Sequence, residues 1–287
     1  MTQDTDNGQE NVETPEQRKP TFSFSALDTY CRCPEAYRRR YLEHEVLPPG
    51  IALLKGSGVH QGAEQNGRQK IETHEDLSVK EIVDISVSEF KDRSAQDGIS
   101  LNVDEEMVGK DKIVGEAIDA TARMAKGHAE LQAPHYQPYI VEQYCRIMTG
   151  AHISHDLTGK IDMIDDKHRV RDWKTASRKK SQGDADVSNQ LTWYAAATKI
   201  LTGIFPSDVG FDLIIDAKKG VARQELTSSR ERADFTALIH RMNAVLAAIN
   251  AGSFPPCLPE SWNCSQKFCG YYDTCRFVNN RKAEKKG

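Results

Sequence analysis

The stretch 159–174, GKIDMIDDKHRVRDWK, holds acidic residues and lysine in a pattern that can carry hydrolytic chemistry. Asp172 and Lys174 lie two apart in a segment of strand character. Alternation along a strand puts residues i and i+2 on one face. Asp162 ends the preceding strand-like segment, and a hairpin brings it beside them. Two facing carboxylates repel unless a cation sits between them, and hard carboxylate oxygens suit Mg²⁺ or Mn²⁺. A lysine beside such a metal can orient a water or stabilise charge on a phosphate. The competing reading is a solvated hairpin with an Asp-x-Lys pair on its exposed face.

Further short patterns flank this stretch. In GSGVHQGAE, Gly56 and Gly58 allow close backbone approach, and His60 and Glu64 share one helical face. Gln190 and Tyr194 are likewise four apart on one face. Taken singly, each reads as packing. The seven cysteines are an odd number in a chain whose polar start, MTQDTDNGQE, lacks the pattern of a secretory signal. The expectation is a cytoplasmic protein in which metal or cluster ligation is more plausible than a disulfide framework. Cys264, Cys269 and Cys275 cluster near the end and Cys33 lies far upstream, with Cys31 and Cys257 as spare candidates. Cys145, in a strand pattern, reads as a plain buried cysteine. Free thiols are the alternative for the whole set.

In chain order the patterns are GxxxH at 56–60, GxxD at 159–162, DxK at 172–174 and QxxxY at 190–194. Together they resemble the RecB-like branch of the PD-(D/E)XK nuclease superfamily. The opening FSFSALDTYCRCPEAYRRRYL and the cysteine-rich end are similar to that branch too, so the resemblance spans residues 22–276. It implies an α/β, restriction-endonuclease-like core, a mixed sheet flanked by helices, with a helical N-terminal part and a C-terminal cysteine-rich segment. It implies a Mg-dependent deoxyribonuclease, an exonuclease on single-stranded DNA ends. On this resemblance His60, Asp162 and Asp172 are metal ligands, and the Trp173 carbonyl completes the shell. Lys174 is the catalytic lysine, and Gln190 and Tyr194 contact DNA or the attacking water. Glu142, in YIVEQY, matches a strand glutamate whose role is either structural or catalytic. Cys33, Cys264, Cys269 and Cys275 would hold a [4Fe–4S] cluster that staples the two ends, with zinc as the alternative. Cys264 and Cys269 stand further apart than the commonest family spacing, which leaves the cluster type open.

Several elements must position these residues. Residues 1–20 read as a disordered leader, 21–276 as a single domain and 277–287 as a basic tail. Within the domain we expect a helical part over 25–132, a nuclease core over 137–250 and a cysteine segment over 255–276. Ser25 is the expected first N-cap, with Asp28 three residues on. Helical patterns cover 54–72, 79–94 and 105–131. Three strand patterns, YIVEQYCRIM, HISHDLTGKIDMID and RVRDWKTA, read as an antiparallel meander. RKKSQGDADVS reads as a polar loop. A helix follows over 187–201 with Leu191, Tyr194, Ala195 and Ile200 at helical spacing. Strands at 209–216 and 220–227 and a helix at 230–251 complete the core, closed by Gly252.

Composition limits the alternatives. The chain has 287 residues and a net charge of -4, so it is not a globally basic nucleic-acid binder. Its longest apolar run, Ala244 to Ile249, is far short of the roughly 18 residues of a transmembrane helix, so no membrane role is expected. Arg38–Arg40 and Arg178–Lys180 are local basic runs, and Trp173, Trp193, Tyr271 and Tyr272 are candidate base-stacking residues. There is no GxxxxGK[ST] motif, so unwinding would need a helicase or a recombination or adaptation protein in trans. Phage recombination and CRISPR adaptation both fit. The alternative functions are a non-catalytic DNA-end binding module with a structural iron–sulfur or zinc site, and a zinc-stabilised interaction protein.

Overall fold

The computed structural model describes residues 19–150 and 153–278. The expected leader and tail lie almost wholly outside them. A short strand, β1 (Thr21–Ser23), runs into helix α1 (Phe24–Arg32). The cap is Ser23, which accepts from the Ala26 N–H at 3.1 Å, and not Ser25 as expected. Strand pairing keeps the backbone extended as far as Ser23, so that residue supplies the capping oxygen. Helix α2 (Pro34–Tyr37) and a π-helical turn at Arg38–Leu42 follow.

Helices α3 (Ile51–Thr73) and α4 (Val79–Asp97) pack closely. A Cβ on Gly58 would lie 2.5 Å from the Ser86 carbonyl oxygen, so only glycine permits this approach. The helix expected over 105–131 is broken. Gly109, at φ +97°, separates α5 (Val103–Val108) from α6 (Lys110–Gly127), and a π-helical turn covers His128–Gln132.

The six-stranded mixed sheet also contains β2 (Pro138–Ile147), β3 (Asp156–Asp165), β4 (Arg169–Ala176), β5 (Asp208–Ala217) and β6 (Gly220–Ser228). β2–β3 and β3–β4 are antiparallel, as the meander required, while β4–β5 is parallel. The segment expected as a polar loop contains a short helix, α7 (Gln182–Asp186), begun by a Ser181–Asp184 capping box. Helix α8 (Asn189–Thr202) follows it, and α9 (Arg232–Asn250) follows β6. Of the α8 residues expected inside, Leu191, Tyr194 and Ala195 are buried but Ile200 is exposed.

The largest apolar cluster lies between the sheet and α1, α8 and α9, and includes Leu27, Leu191, Trp193, Leu213 and Met242. Smaller clusters join the sheet to α3 and α6 through Ala63, Met163 and Trp173, and through Val59, Met124 and Ile214. Among the described residues no helix is long and apolar enough to cross a membrane.

Candidate active site

The site begins as an opening in the sheet. β1 pairs with Asp156–Thr158 of β3, and β4 pairs with Met163 and Ile164 of the same strand. β2 pairs with both stretches, so β1 and β4 share the opposite side of β3. Residues 159–162 therefore face a splay between strands. The Trp173 N–H crosses it and donates to Asp162 Oδ2 at 2.9 Å, so the carboxylate does the job of a missing ladder acceptor. Gly159 sits under α8, and a Cβ there would come within 2.8 Å of the Trp193 ring. That contact gives the glycine of the GxxD pattern a packing reason.

Asp172 and Lys174 share a face of β4, as alternation requires. Lys174 Nζ lies 3.0 Å from Asp172 Oδ1 and 2.9 Å from Oδ2. Oδ2 is buried and has that ion pair but no well-directed hydrogen bond. Helix α8 presents Gln190 and Tyr194 to the same point. Gln190 Nε2 donates to Asp172 Oδ1 at 3.0 Å. The Tyr194 hydroxyl is 2.7 Å from Asp162 Oδ1 and 3.0 Å from Asp172 Oδ1, so its one proton bridges the pair.

From the other side α3 brings His60. Its Nε2 is 2.6 Å from the Trp173 carbonyl oxygen, and its Nδ1 faces Glu142 Oε1 at 3.6 Å and Asp162 Oδ2 at 3.8 Å. Glu142 is directly across from Asp162, because Val141 pairs with Met163 and Gln143 with Ile161. Its φ of +48° places it in the left-handed region in the middle of a strand, a strained position for a non-glycine residue. Lys160, two before Asp162, holds the other Glu142 oxygen at 2.6 Å. His60, Glu142 and Asp162 each offer a ligand atom within 4.8 Å of the others. Asp172 stands beside this trio, engaged by Lys174 and α8. Lys160 is a site residue that the sequence reading missed, although its i, i+2 relation to Asp162 would have revealed it.

The electrostatics reflect a shortage of positive charge. Burial, and then the neighbouring Asp172, push the Asp162 carboxyl up to about 7. Burial opposes a charged His60 ring, but the Asp162 charge and the Glu142 contact outweigh it and raise its pKa to about 9. Lys174 is held above its ordinary value because the Asp172 and Asp162 charges outweigh the cost of burial. The site opens into a cleft of about 440 Å³ whose lining includes Gly56, His60, Glu64, Arg93, Lys160 and Lys174.

The cysteines also come together. Cys257 lies near Cys33 and Cys264, and Cys269 near Cys33, Cys264 and Cys275; burial and these neighbouring thiols push the Cys257 and Cys269 pKa values up. Cys257, a spare candidate in the sequence, thus joins the expected four. A backbone bond from Glu35 N–H to the Pro255 carbonyl, 3.2 Å, holds the two chain ends in place. Cys31 is exposed and Cys145 buried.

Two expectations about nucleic-acid contacts are corrected. Trp173 and Trp193 are buried and cannot stack on bases; Gly159 and α8 enclose one, Ala63 and Met163 the other. Arg38 and Arg39 are not a free basic run, since they pair with Glu35, Glu43 and Glu45. Arg178, Lys179 and Lys180 are exposed after β4.

Comparison with known proteins agrees with this geometry. A search of curated proteins gives no match. A crystal structure from Eubacterium rectale, named as a candidate exonuclease, superposes with a TM-score of 0.54 at 14% identity, covering 96% of this chain and 94% of that one. The structure of a protein named SSO0001 is 14% identical over 84% of this chain and 94% of that one, but its TM-score of 0.31 is too low to inform the fold. The family profile of the PD-(D/E)XK nuclease superfamily matches residues 21–276. With its splayed β3–β4 hairpin carrying Asp162, Asp172 and Lys174, the chain belongs to the PD-(D/E)XK nuclease superfamily.

Proposed function

We propose that residues 21–276 form one nuclease unit of the RecB-like branch, a Mg²⁺- or Mn²⁺-dependent exonuclease acting on single-stranded DNA ends. The observation that carries this reading is the buried Asp162–Asp172 pair bridged by Tyr194 and flanked by Lys174. The donor set fits a hard divalent cation: Asp172 Oδ2 lacks a hydrogen bond, and Asp162 is costly to ionise without further positive charge. Asp162, Asp172, His60 and the Trp173 carbonyl would hold the ion, with Glu142 supporting His60 or joining them. When bound, such an ion polarises the phosphodiester and eases deprotonation of a water.

The remaining roles belong to the chain. Lys174 carries a fixed ammonium beside the reacting phosphate and offsets the charge that builds on it. Gln190 holds Asp172 in one rotamer, and Tyr194 keeps the two carboxylates together against their repulsion. Glu142 and Lys160 form the cleft wall next to His60. The exposed Arg178, Lys179 and Lys180 supply phosphate contacts.

The nearness of Cys33 to the cysteines of the C-terminal segment supports a thiolate-bound cofactor. Cys33, Cys264, Cys269 and Cys275 would hold a [4Fe–4S] cluster, with zinc the alternative, and its contribution is to join the chain ends. DNA is the partner, with a helicase or a recombination or adaptation protein in trans, in the cytoplasm.

The test is end-labelled single-stranded DNA incubated with Mg²⁺, Mn²⁺ or a chelator, using anaerobically purified protein. Stepwise shortening that needs the metal is the expected result. A protein that binds the strand and leaves it intact with both metals is the non-catalytic end-binding module instead. Iron and zinc analysis of the same sample decides the cofactor.

A further inference from the structure

The catalytic cleft does not end at Lys174. A smaller cleft of about 160 Å³ adjoins it, lined by Ala52, Lys55, Met124, Thr175, Ser177 and Asp216 among others. Ala52 and Thr175 line both clefts, so the two form one continuous groove. Helix α3 supplies one wall and the end of β4 the other. The walls come close at Gly56, where a Cβ would lie 3.4 Å from Thr175 Oγ1.

Charge distinguishes the two ends of this groove. In the catalytic cleft, Arg93 faces Glu89 and Asp97 at 3.9 and 3.5 Å, and Lys160 holds Glu142 at 2.6 Å. Those cations already have carboxylate partners. In the smaller cleft the carboxylate, Asp216, is taken by Arg123 at 2.8 Å. Half-buried Lys55 has no hydrogen bond or ion pair among the described residues. More free cations stand at the mouth. β4 and β5 are parallel, and Ala176 pairs with Ile215, so the two strands end side by side. Arg178 and Lys179 follow one end, Lys218 and Lys219 the other, and all four are exposed and unpaired among the described residues. Cations set along a groove without counter-ions attract an anionic chain from solution.

Resting on the nuclease reading, we infer that the strand being cut runs through this groove, and that Lys55 holds the phosphate next to the scissile one. The strand then passes over the cations at 178–179 and 218–219. A sugar–phosphate backbone is the occupant that matches. It carries a negative charge at every nucleotide, to meet successive cations, and it already lies in the cleft that this groove continues. The direction follows from the pairing: on the α4 side Arg93 and Lys160 are engaged, whereas on the Lys55 side the cations are free.

The first experiment is an anisotropy titration of fluorescein-labelled oligo(dT) with the full chain in EDTA, which prevents cleavage. Lys55→Gln should weaken binding about three- to tenfold. It should also lower the slope of log affinity against log salt by about 0.7, the share of one phosphate on a single strand. Lys55→Arg should keep both near wild type. Lys80→Gln makes the same charge change on a side chain that is 85% exposed and paired with Asp84, and should alter neither. The position is read in Mn²⁺ with end-labelled strands carrying one neutral methylphosphonate, at the second or third linkage from either end. At one of these sites the neutral linkage should lower kcat/KM for the first cut by the same factor as Lys55→Gln, and the two losses should not multiply. Losses that multiply at every site would overturn the inference, as would wild-type affinity and salt slope in Lys55→Gln. Equal losses in Lys55→Gln and Lys55→Arg would make the side chain a packing residue and overturn it too. In each of these cases metal-dependent shortening by the wild type leaves the nuclease reading standing. A wild-type chain that neither binds nor shortens the strand removes that reading, and this inference with it.

Discussion

Two sets of buried carboxylates occupy opposite faces of one sheet, and the chain treats them differently. Asp172 on β4 and Asp212 on β5 are both fully buried. Trp173 pairs in register with Asp212, so Asp212 shares the face that Asp172 turns away from. There, Arg223 donates to both Asp212 oxygens, at 2.9 and 2.8 Å, and Tyr136 adds a hydroxyl at 2.7 Å. Arg171 joins Glu225, at 2.7 Å, and Asp208 to the same network. Burial works against ionised Glu225, yet the Arg171 bond holds its pKa below the ordinary value. Across the sheet, Asp162 and Asp172 receive a tyrosine, a glutamine, one backbone N–H and one lysine, and Asp162 rises to about 7. Guanidinium forks complete a structural network; neutral donors, a single ammonium and the His60 ring at 3.8 Å from Asp162 still leave Asp162 costly to ionise, a charge for an external cation to balance.

The largest expected effects come from removing that charge. Asp162→Asn and Asp172→Asn should each reduce cleavage to background in a time course on labelled single strands, because each removes a proposed metal ligand. The same substitution on the other face should do the opposite kind of damage. Asp212→Asn leaves Arg223 without its buried partner and should lower stability by about 3–5 kcal/mol in urea unfolding. Cleavage per folded Asp212→Asn molecule should stay near wild type. A catalytic loss without a stability loss there would dissolve the contrast.

Lys174 sharpens the comparison, being the one full cation that touches the Asp172 carboxylate. Lys174→Met keeps the side-chain length and removes the charge. Its cleavage rate should fall by about 10²–10³, the usual cost of losing one positioned charge-stabilising group. Strand binding, measured in parallel, should change far less. A wild-type rate would make this lysine a surface residue.

Much of this contrast was legible in the sequence, on one face only. Asp172 and Lys174 were readable because strand alternation has a period of two, and Tyr194 because it lies one helical turn after Gln190. Glu142 enters only through the family resemblance, since its place opposite Asp162 depends on the β2–β3 register, which no local pattern announces. Asp212 sits inside the apolar run VGFDLIID, and its arginines come from β4 and β6, so the second network appears only on folding. Exposure was equally invisible: Trp173 and Trp193 looked available, while Trp262 was the exposed one. The misplaced first cap has a similar origin. Ser23 and Ser25 are both good caps, and pairing of β1 with β3 decides between them. In contrast, the Ser181–Asp184 capping box that starts α7 was present in the sequence and was outweighed by the polar composition around it.

The smallest effect tests the electrostatic origin of the contrast directly, without DNA. Asp162→Asn removes a buried charge that the metal-free protein accommodates poorly. The amide can still accept from the Trp173 N–H through its oxygen, while its NH₂ faces Tyr194. That hydroxyl then accepts from the amide and donates to Asp172, so the Tyr194 bridge between the two positions is kept. The folded pKa of Asp162, about 7, lies above the ordinary unfolded value of about 3.9. A raised folded pKa favours the folded state most below the unfolded value. That contribution is lost as pH rises through the folded one. Metal-free wild type should therefore lose stability relative to Asp162→Asn between about pH 4 and pH 7, with the full difference above it. Thermal unfolding in EDTA should show little difference at pH 4 and a gain of a few kcal/mol, at most about 4, for the variant at pH 8. Saturating Mg²⁺ should reverse the order, because the ion binds the folded wild type and supplies the charge that the asparagine replaces. A variant less stable than wild type in EDTA at pH 8 would mean that Asp162 is held as firmly as Asp212, and the two faces would no longer differ in kind.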